Sequence, residues 1–170
     1  MEYTYHYESP LGKMIMSAED NALTGLWFGQ EREDERTFTG ASGNVQEEKL
    51  PVFAQTCRWL NLYFAGEIPD FLPKLQLKGT EFRQRVWEIL LTIPYGETMT
   101  YGEIADMIAR ERGRERMSAQ AVGGAVGHNP IPILVPCHRV LGAGRRLTGY
   151  TGGIEKKIRL LQIENIEFQE

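Results

Sequence analysis

The spacing of apolar side chains changes along the chain and predicts a sheet first and helices afterwards. In residues 1–28, short aromatic and aliphatic runs alternate with polar positions and are separated by the turn sequences SPLG and EDN, which is typical of a small antiparallel sheet. The polar, glycine-rich stretch 30–44 predicts a surface loop. From about Pro51 to Phe64, apolar positions recur every three or four residues and Gly66 follows as a stop signal, so a helix is expected there.

A helical pattern begins at Thr80 and continues through two shorter helices. The apolar stripe of TEFRQRVWEILLTI predicts the first helix, and a capping box, Thr100 with Glu103, opens the next one in YGEIADMIAR. Ser118 is a suitable N-cap for an Ala- and Gly-rich helix in SAQAVGGAVG. Two short helices joined by the charged sequence ERGRER fit a helix-turn-helix, although any αα-hairpin has the same pattern.

The segment after these helices is expected to be extended, because three prolines fall within residues 130–136. This stiff segment leads directly into Cys137. The sequence HRVLGAGRRLTGY that follows is typical of a strand, a glycine turn and a second strand. A last helix is predicted in GGIEKKIRLLQIENI, and its expected apolar face consists of Ile154, Ile158 and Leu161.

Composition places the chain among ordinary folded proteins, with 170 residues, 42% apolar and 25% charged. The sequence has no run of 18 apolar residues, and the N-terminal MEYTYHYESP lacks the basic and apolar regions of a signal peptide. Two cysteines make a poor disulfide framework and are expected to be reduced thiols. These features predict a cytoplasmic protein with no membrane partner.

The net charge of −4 conceals an uneven distribution of charge. Residues 101–160 carry 10 basic and 5 acidic side chains, whereas residues 1–80 carry 7 basic and 12 acidic ones. The C-terminal part of the chain can therefore present a basic face to a nucleic acid.

The two cysteines differ in their surroundings. Cys57 shares the apolar spacing of its helix and is interpreted as a small packing residue. Cys137 lies in VPCHRV, directly before His138 and two residues before Arg139. An imidazole or a cation close to a thiol lowers its pKa. The Cys–His pair alone leaves both a structural and a reactive thiol open. No set of Cys and His residues has zinc spacing and no phosphate-binding glycine pattern is present, so neither a metal nor a cofactor is expected.

The sequence NPIPILVPCHRVLG, followed by GYTGG, closely resembles the active-site region of the O6-alkylguanine-DNA alkyltransferases. The resemblance includes TEFRQRVWEIL, IPYGETMTYGEIA and AVGGAVGHNP, and it covers residues 80–166 in detail. The N-terminal third matches only in its strand-then-helix layout and in YFAG. Together with the patterns above, this predicts an α/β (α+β) chain. Residues 1–76 would form an N-terminal α/β domain, and 77–170 a mostly helical, winged helix-turn-helix-like domain for DNA binding and alkyl transfer.

The resemblance implies four catalytic roles. Cys137 would be the nucleophile and permanent alkyl acceptor, and His138 the general base that acts on it through a water. Glu164, 27 residues after the cysteine as in the family, would orient the imidazole and support its charge. Asn129 would hold the turn that carries Cys137.

The resemblance also implies residues that bind DNA and the alkylated base. Tyr101 would contact the phosphate and the extruded base, and Tyr150 and Thr151 would flank the base pocket, with the Thr151 amide donating toward the guanine O6. The carbonyls of Cys137 and Val140 would accept hydrogen bonds from the exocyclic amine of the guanine. Arg139 is also expected to bind DNA or the base.

One position departs from the family pattern. The second helix of the helix-turn-helix usually carries an Arg that fills the space left by the flipped base, and Gln120 stands there in this sequence. Gln can hydrogen-bond the orphaned partner base, but it lacks the charge and the fork of Arg. The basic loop within 110–116 could supply the missing charge.

The implied function is repair of O6-alkylguanine in double-stranded DNA by a monomeric, single-turnover methyltransferase, with O4-alkylthymine as a second candidate substrate. Three alternatives remain: a non-catalytic alkyl-lesion binder of the alkyltransferase-like kind, a Cys–His hydrolase, and a DNA-binding regulator without chemistry. Alkyltransferase-like proteins lack the acceptor cysteine, which is present here as Cys137. A hydrolase would need an oxyanion hole, and no motif in the sequence marks one.

Overall fold

The structure is a computed structural model that describes residues 2–29, 46–47, 50–150 and 152–170. The chain divides into two compact units, Met1–Lys78 and Gly79–Glu170. The surface loop predicted for 30–44 lies outside the described residues. In the part of the chain that is described, no helix has both the length and the apolar character needed to cross a membrane.

The first unit is built on a four-stranded sheet, in the order β3-β2-β1-β4. Strands β1 (Glu2–Ser9), β2 (Gly12–Glu19) and β3 (Ala22–Phe28) pair antiparallel, and the short β4 (Gln46–Glu47) pairs parallel to β1. Asp20 and Asn21 adopt positive φ in the turn between β2 and β3, a conformation that Asp and Asn tolerate. The predicted small antiparallel sheet is confirmed.

Helix α1 (Pro51–Phe64) begins and ends where the apolar spacing predicts, with Pro51 at its first position. It buries Phe53 and Leu60, while Cys57 is half-buried and forms no disulfide. After α1, residues 74–76 run along β3, because the Leu23 amide donates to the Lys74 carbonyl and the Gln76 amide donates back to the Leu23 carbonyl. Residues 74–76 therefore add a further edge to this sheet.

The second unit begins with helix α2 (Glu81–Leu91), which Thr80 caps by accepting a hydrogen bond from the Arg83 amide. Trp87 is buried at the centre of this unit, and its indole Nε1 donates to the Ala125 carbonyl at 2.9 Å. A Cβ on Gly79 would come within 2.6 Å of the Trp87 ring, so a glycine is required beside it.

Helices α3 (Tyr101–Glu111) and α4 (Ala119–Gly127) form the helix-turn-helix. The capping box predicted at the start of α3 is confirmed: Thr100 accepts from the Glu103 amide at 3.0 Å and donates its own amide to the Glu103 carboxylate at 2.8 Å. Ser118 caps α4 by accepting from the Ala121 amide. Strand β5 (Met99–Thr100) leads into α3 and pairs parallel with β6 (Val140–Leu141).

One expectation for the C-terminal part is wrong, and another holds only in part. The second strand predicted within HRVLGAGRRLTGY does not form: after β6 the chain turns tightly through Gly144 and Arg145, both with positive φ, and only Gly142 and Arg146 pair across the turn. Helix α5 (Ile154–Ile163) buries Leu161 of the expected face, and Ile158 is half-buried. Ile154, however, is 41% exposed, and Lys157 and Leu160 are buried beside Leu161.

The observed architecture confirms the predicted fold class. In the described residues, a mainly antiparallel sheet and one helix are followed by a mostly helical unit that contains the helix-turn-helix and, between α4 and α5, the short β6 and the turn after it.

Candidate active site

One buried side chain, Asn129, helps to hold the segment that leads to Cys137. The Asn129 amide donates from Nδ2 to the Val135 carbonyl at 2.8 Å, and its Oδ1 accepts from the Ile131 amide at 3.0 Å. Both bonds lie within the proline-rich stretch, so Asn129 adds to the backbone bond from the Val135 amide to the Ile131 carbonyl. The same side chain favours the ionised form of Cys137 and lowers the pKa of its thiol.

The backbone turns sharply twice before it reaches the thiol. Ile133 has a φ of 75°, an uncommon conformation for a β-branched residue. At Pro136 the Cys137 amide donates to the Val135 carbonyl at 2.7 Å, which closes an inverse γ-turn. Residues Cys137–Arg139 then form a single 3₁₀ turn. Such turns persist where the surrounding structure fixes them, and here they fix the position of Cys137.

Cys137 lies in the wall of a cavity of about 390 Å³ within the second unit. The side chains and backbone that line this cavity come from the helix-turn-helix and from the segment before α5: Tyr101, Gly123, Val126, Gly127, Cys137, Gly149 and Tyr150. Only 3% of Cys137 is exposed, so the cavity is the route by which a reactant reaches its sulfur. The volume suits a planar heterocycle of the size of a nucleobase.

His138 is fully buried and bonds to Glu164, which follows the last residue of α5. Its Nε2 lies 2.6 Å from Glu164 Oε2. The Gly96 amide also donates to this carboxylate at 3.0 Å, and Gly96 has a φ of 83°, which only glycine adopts freely. The PYGE turn before β5 is thereby fixed to the end of α5.

The pKa values of this pair determine which nitrogen of His138 is basic. Burial raises the pKa of Glu164, but hydrogen bonds and charge from His138 and Arg139 outweigh it and bring the pKa to about 2. Burial lowers the pKa of His138, although Glu164 opposes this shift. An ionised Glu164 can only accept, so Nε2 carries the proton of a neutral imidazole and Nδ1 is the basic nitrogen.

Arg139 does not reach outward as a DNA-binding residue would. It is 7% exposed, and its guanidinium donates from Nε to Glu164 Oε1 at 2.8 Å and from Nη2 to Oε2 at 3.2 Å. Nη1 donates to the Ile93 carbonyl at 2.7 Å. The DNA contact expected for Arg139 is therefore replaced by a buried ion pair with the carboxylate that holds His138.

The thiol of Cys137 is not activated in the way that its sequence neighbours suggest. Burial raises its pKa, and this effect exceeds the opposing hydrogen bonding from Asn129, the charge of Lys157 and hydrogen bonding from Tyr150. Arg139 directs its charge to Glu164 rather than to the sulfur. The thiol is therefore neutral at rest, and a base must remove its proton when a reactant is in place.

Lys157 is the cation whose positive charge lowers the pKa of the Cys137 thiol, and the sequence does not predict its burial. It is 1% exposed, and its ammonium donates to the Val140 carbonyl and the Thr148 hydroxyl, both at 2.9 Å, and to the Gly149 carbonyl at 3.3 Å. Burial lowers its pKa to about 8, against the influence of Cys137. The available signal was a lysine three positions after Ile154, on the face where apolar residues were expected.

Two tyrosines expected at the base pocket do line the cavity. The Tyr101 hydroxyl lies 2.9 Å from the Thr148 hydroxyl. Tyr150 lines the same cavity and follows Gly149, another lining residue, in the sequence. The Val140 carbonyl, expected to accept from a base, already accepts from Lys157 and retains a second lone pair. Thr151 lies outside the described residues.

The outer face of α4 consists almost entirely of small residues. Ala119, Ala121, Gly124 and Gly127 are exposed on it, and Gln120 is the one long side chain among them. The loop before α4 is exposed and rich in arginine, and Arg112 packs over the Phe82 ring at 5.4 Å. In the described part of the chain, no group of three or more His, Cys, Asp or Glu residues could hold a metal ion.

The chain is similar in sequence to known DNA methyltransferases. A family model described as "6-O-methylguanine DNA methyltransferase, DNA binding domain" matches residues 81–166, and one described as "6-O-methylguanine DNA methyltransferase, ribonuclease-like domain" matches residues 1–77. A methylated-DNA–protein-cysteine methyltransferase from Mycobacterium bovis is 48% identical over 164 residues, which is 94% of this chain and 92% of the relative. A constitutive methyltransferase of the same description from Bacillus subtilis is 39% identical and covers 100% of this chain and 99% of its own.

Solved structures agree. The crystal structure of Mycobacterium tuberculosis O6-methylguanine methyltransferase superposes with a TM-score of 0.81 at 45% identity, over 96% of this chain and 93% of the other. A crystal structure of the Mycobacterium tuberculosis OGT protein in complex with DNA matches with a TM-score of 0.79 at 44% identity, over 95% of this chain and 92% of the other.

Proposed function

The chain belongs to the 6-O-methylguanine DNA methyltransferase family, and from this premise we propose that it transfers the alkyl group of O6-alkylguanine in double-stranded DNA irreversibly to Cys137. It is a DNA repair enzyme of the methylated-DNA–protein-cysteine methyltransferase class. The residue roles and the steps described below are our proposal for how this chain performs that reaction.

One observation carries the assignment of Cys137. The residue lines a cavity of nucleobase size, and the next residue, His138, is a buried neutral imidazole bonded to an ionised carboxylate. Cys57, the other cysteine, lies on α1 without such a neighbour in its sequence. A buried thiol needs a base within its own site, and the His138–Glu164 pair is that base.

The reaction begins with removal of the thiol proton. His138 takes it at Nδ1 through a bridging water, and Glu164 stabilises the imidazolium that results. The thiolate sulfur then attacks the alkyl carbon: the S–C bond forms, the C–O6 bond breaks, and its electron pair remains on the guanine. The proton that the thiol lost balances the one that the guanine finally takes up. The thioether has no bond that water readily cleaves, so each molecule acts once.

In this scheme Asn129 positions Cys137, and Lys157 stabilises its thiolate. Asn129 holds the turn before Cys137, and both Asn129 and the positive charge of Lys157 lower the pKa of the thiol and so favour the thiolate as it forms. Tyr101 and Tyr150 form the walls for the base. We assign to the Thr151 amide a hydrogen bond to O6, and to the carbonyls of Cys137 and Val140 contacts with the exocyclic amine.

DNA would be bound through the outer face of α4. The target atom lies inside the duplex, so the nucleotide must be extruded into the cavity. The small side chains on α4 allow a close approach to the minor groove, where a helix with bulky side chains would be excluded. Gln120 is the side chain on that face long enough to enter the space that the base leaves.

We further propose a monomeric, cytoplasmic protein that needs no cofactor. Two free thiols in the described residues suit a reducing compartment. Residues 1–76 and 77–170 would act as separate domains, with DNA binding and transfer carried by the second.

The test is the intact mass of the protein after exposure to a duplex oligonucleotide with one O6-methylguanine. A gain of one methyl group, mapped to Cys137 by peptide analysis, is the expected result. Cys137→Ser should lose the gain and keep DNA binding, because a serine hydroxyl is far less acidic, and Cys57→Ser should keep both. Binding without a mass change would indicate a non-catalytic binder, and repeated product release would indicate a hydrolase.

A further inference from the structure

Three side chains form a hydrogen-bonded chain from the core of the second unit to the wall of the cavity. Lys157 Nζ lies 2.9 Å from Thr148 Oγ1, and Thr148 Oγ1 lies 2.9 Å from Tyr101 Oη. Lys157 is buried on α5, whereas Tyr101 lines the cavity at the start of α3. Thr148 thus joins a buried cation to a phenol that faces the reactant.

The direction of the bond between Lys157 and Thr148 follows from the number of available protons. An ammonium group has three protons and accepts none, and Lys157 has three acceptors: the carbonyls of Val140 and Gly149 and the hydroxyl of Thr148. Thr148 therefore accepts from Lys157 and keeps its own proton to donate. Tyr101 Oη lies 2.9 Å away, and the geometry of that contact allows either hydroxyl to be the donor. With Thr148 as the donor, the phenol proton of Tyr101 is left to point into the cavity.

We propose that Thr148 is a positioning residue for alkyl transfer: by accepting from Lys157 and donating to Tyr101, its hydroxyl turns the Tyr101 phenol proton toward the guanine. This inference rests on the proposed function. As the C–O6 bond breaks, the electron pair stays on the guanine, and the Tyr101 proton stabilises that charge through a hydrogen bond. No proton has to leave the phenol for this contribution.

The environment of Tyr101 agrees with a donor role. Burial raises the pKa of Tyr101, and the hydrogen bond from Thr148 opposes that shift, so the hydroxyl stays protonated while its O–H becomes a better donor. A structural role for Thr148 would instead act through Lys157, by keeping the ammonium in place beside Val140 and Gly149. The two roles differ in whether an effect of Thr148 needs the Tyr101 hydroxyl.

A double-mutant cycle separates these roles. Thr148→Val removes the hydroxyl and keeps the shape, Thr148→Ser keeps the hydroxyl, and Tyr101→Phe removes the phenol. The full-length variants are measured in single-turnover reactions with a duplex oligonucleotide that carries one O6-methylguanine. The rate constant at saturating DNA and the dissociation constant for DNA are determined separately, and the thermal unfolding midpoint serves as the folding control.

We expect Thr148→Val to lower the transfer rate constant about tenfold, the effect of one hydrogen bond, with DNA affinity unchanged. Thr148→Ser should restore the rate to within about twofold, since it keeps that bond. In the Tyr101→Phe background, Thr148→Val should cause no further loss, because residues that act through one another are not additive. If Thr148→Val folds poorly, Thr148→Ala, which also lacks the hydroxyl, takes its place in the cycle.

The inference is overturned by a wild-type rate in Thr148→Val, by a Thr148→Ser variant as slow as Thr148→Val, or by losses that multiply in the double variant. Multiplying losses would assign Thr148 to the support of Lys157. Failure of the wild-type protein to become methylated at Cys137 would instead contradict the proposed function itself.

Discussion

Arg139 and Glu164 form a buried ion pair beside the imidazole of His138. Arg139 approaches Glu164 through two nitrogens, at 2.8 and 3.2 Å, and the same carboxylate lies 2.6 Å from His138 Nε2. One carboxylate thus orients the base and neutralises a buried guanidinium. Stability and catalysis depend on the same group, and a change at Glu164 should affect both.

Glu164→Gln should slow transfer and destabilise the fold. The loss of charge behind His138 is expected to lower the single-turnover rate by about ten- to a hundredfold. Removing one partner of a buried pair leaves Arg139 uncompensated, at a cost on the order of 3–5 kcal/mol in urea unfolding. The matched control is Glu111→Gln, which breaks an exposed ion pair with Arg85 and should change neither quantity much. Equal behaviour of the two variants would contradict this role for Glu164.

Stability should decline in acid through the same carboxylate. The pKa of Glu164 is about 2 in the folded chain, against an ordinary value of 4.5, so its contribution is fully present above pH 4.5 and is lost as the pH falls toward 2. A difference of this size corresponds to about 3 kcal/mol. Burial also lowers the pKa of His138, so a further decline begins below pH 6.5. Urea unfolding from pH 7 to pH 3 measures both declines, and Glu164→Gln should remove the more acidic one. A curve of the same shape in that variant would assign the decline to other groups.

Lys157→Met should raise the pKa of the Cys137 thiol further and slow transfer. The substitution keeps most of the buried volume but removes the charge beside the sulfur and the bonds to Val140 and Gly149. A higher pKa leaves less thiolate at neutral pH, so the single-turnover rate constant is expected to fall by about tenfold or more, as for other groups that act through a reacting residue. The thiol pKa is read from the pH dependence of alkylation by iodoacetamide. Lys156→Met, one residue earlier on α5, is the control, and a thiol pKa that is the same in both variants would refute the effect.

Gln120→Arg should accelerate repair of duplex DNA. A planar, charged side chain would fill the vacated space and pair with the orphaned base better than the shorter amide does. The gain corresponds to about one polar contact, or around tenfold, and Gln120→Ala should lower the duplex rate. The rate on free O6-alkylguanine base is the internal control, because the free base requires no extrusion. If neither variant changes duplex repair, Tyr101 or the basic loop 110–116 must hold the base outside the helix.

Local signals predicted most of the secondary structure. The bounds of α1, the capping box at Thr100 and the cap at Ser118 depend on residues within a few positions of one another, and a sequence displays such relationships directly. The helix-turn-helix followed from these caps and from the charged connection between them.

The errors concern partners that only the tertiary fold supplies. Lysine is almost never fully buried, so the sequence predicts Ile154 rather than Lys157 on the buried face of α5. In the structure Lys157 is buried because its ammonium donates to the carbonyls of Val140 and Gly149. Arg139 lies two residues after Cys137 in the sequence, but its acceptor Glu164 is 25 residues away. The prediction of a second strand after β6 is wrong because Gly144 and Arg145 both have positive φ and form a tight turn where an extended backbone was expected.

The burial of Cys137 also determines how long an unused molecule lasts. A protein that is consumed by its one reaction must keep its sulfur intact until a lesion arrives, and small electrophiles and oxidants react with exposed thiolates. The sulfur here is 3% exposed and its pKa is raised, so the resting form is an unreactive thiol. The same desolvation that makes a base necessary therefore protects the unreacted Cys137 thiol from small electrophiles and oxidants before a lesion is bound.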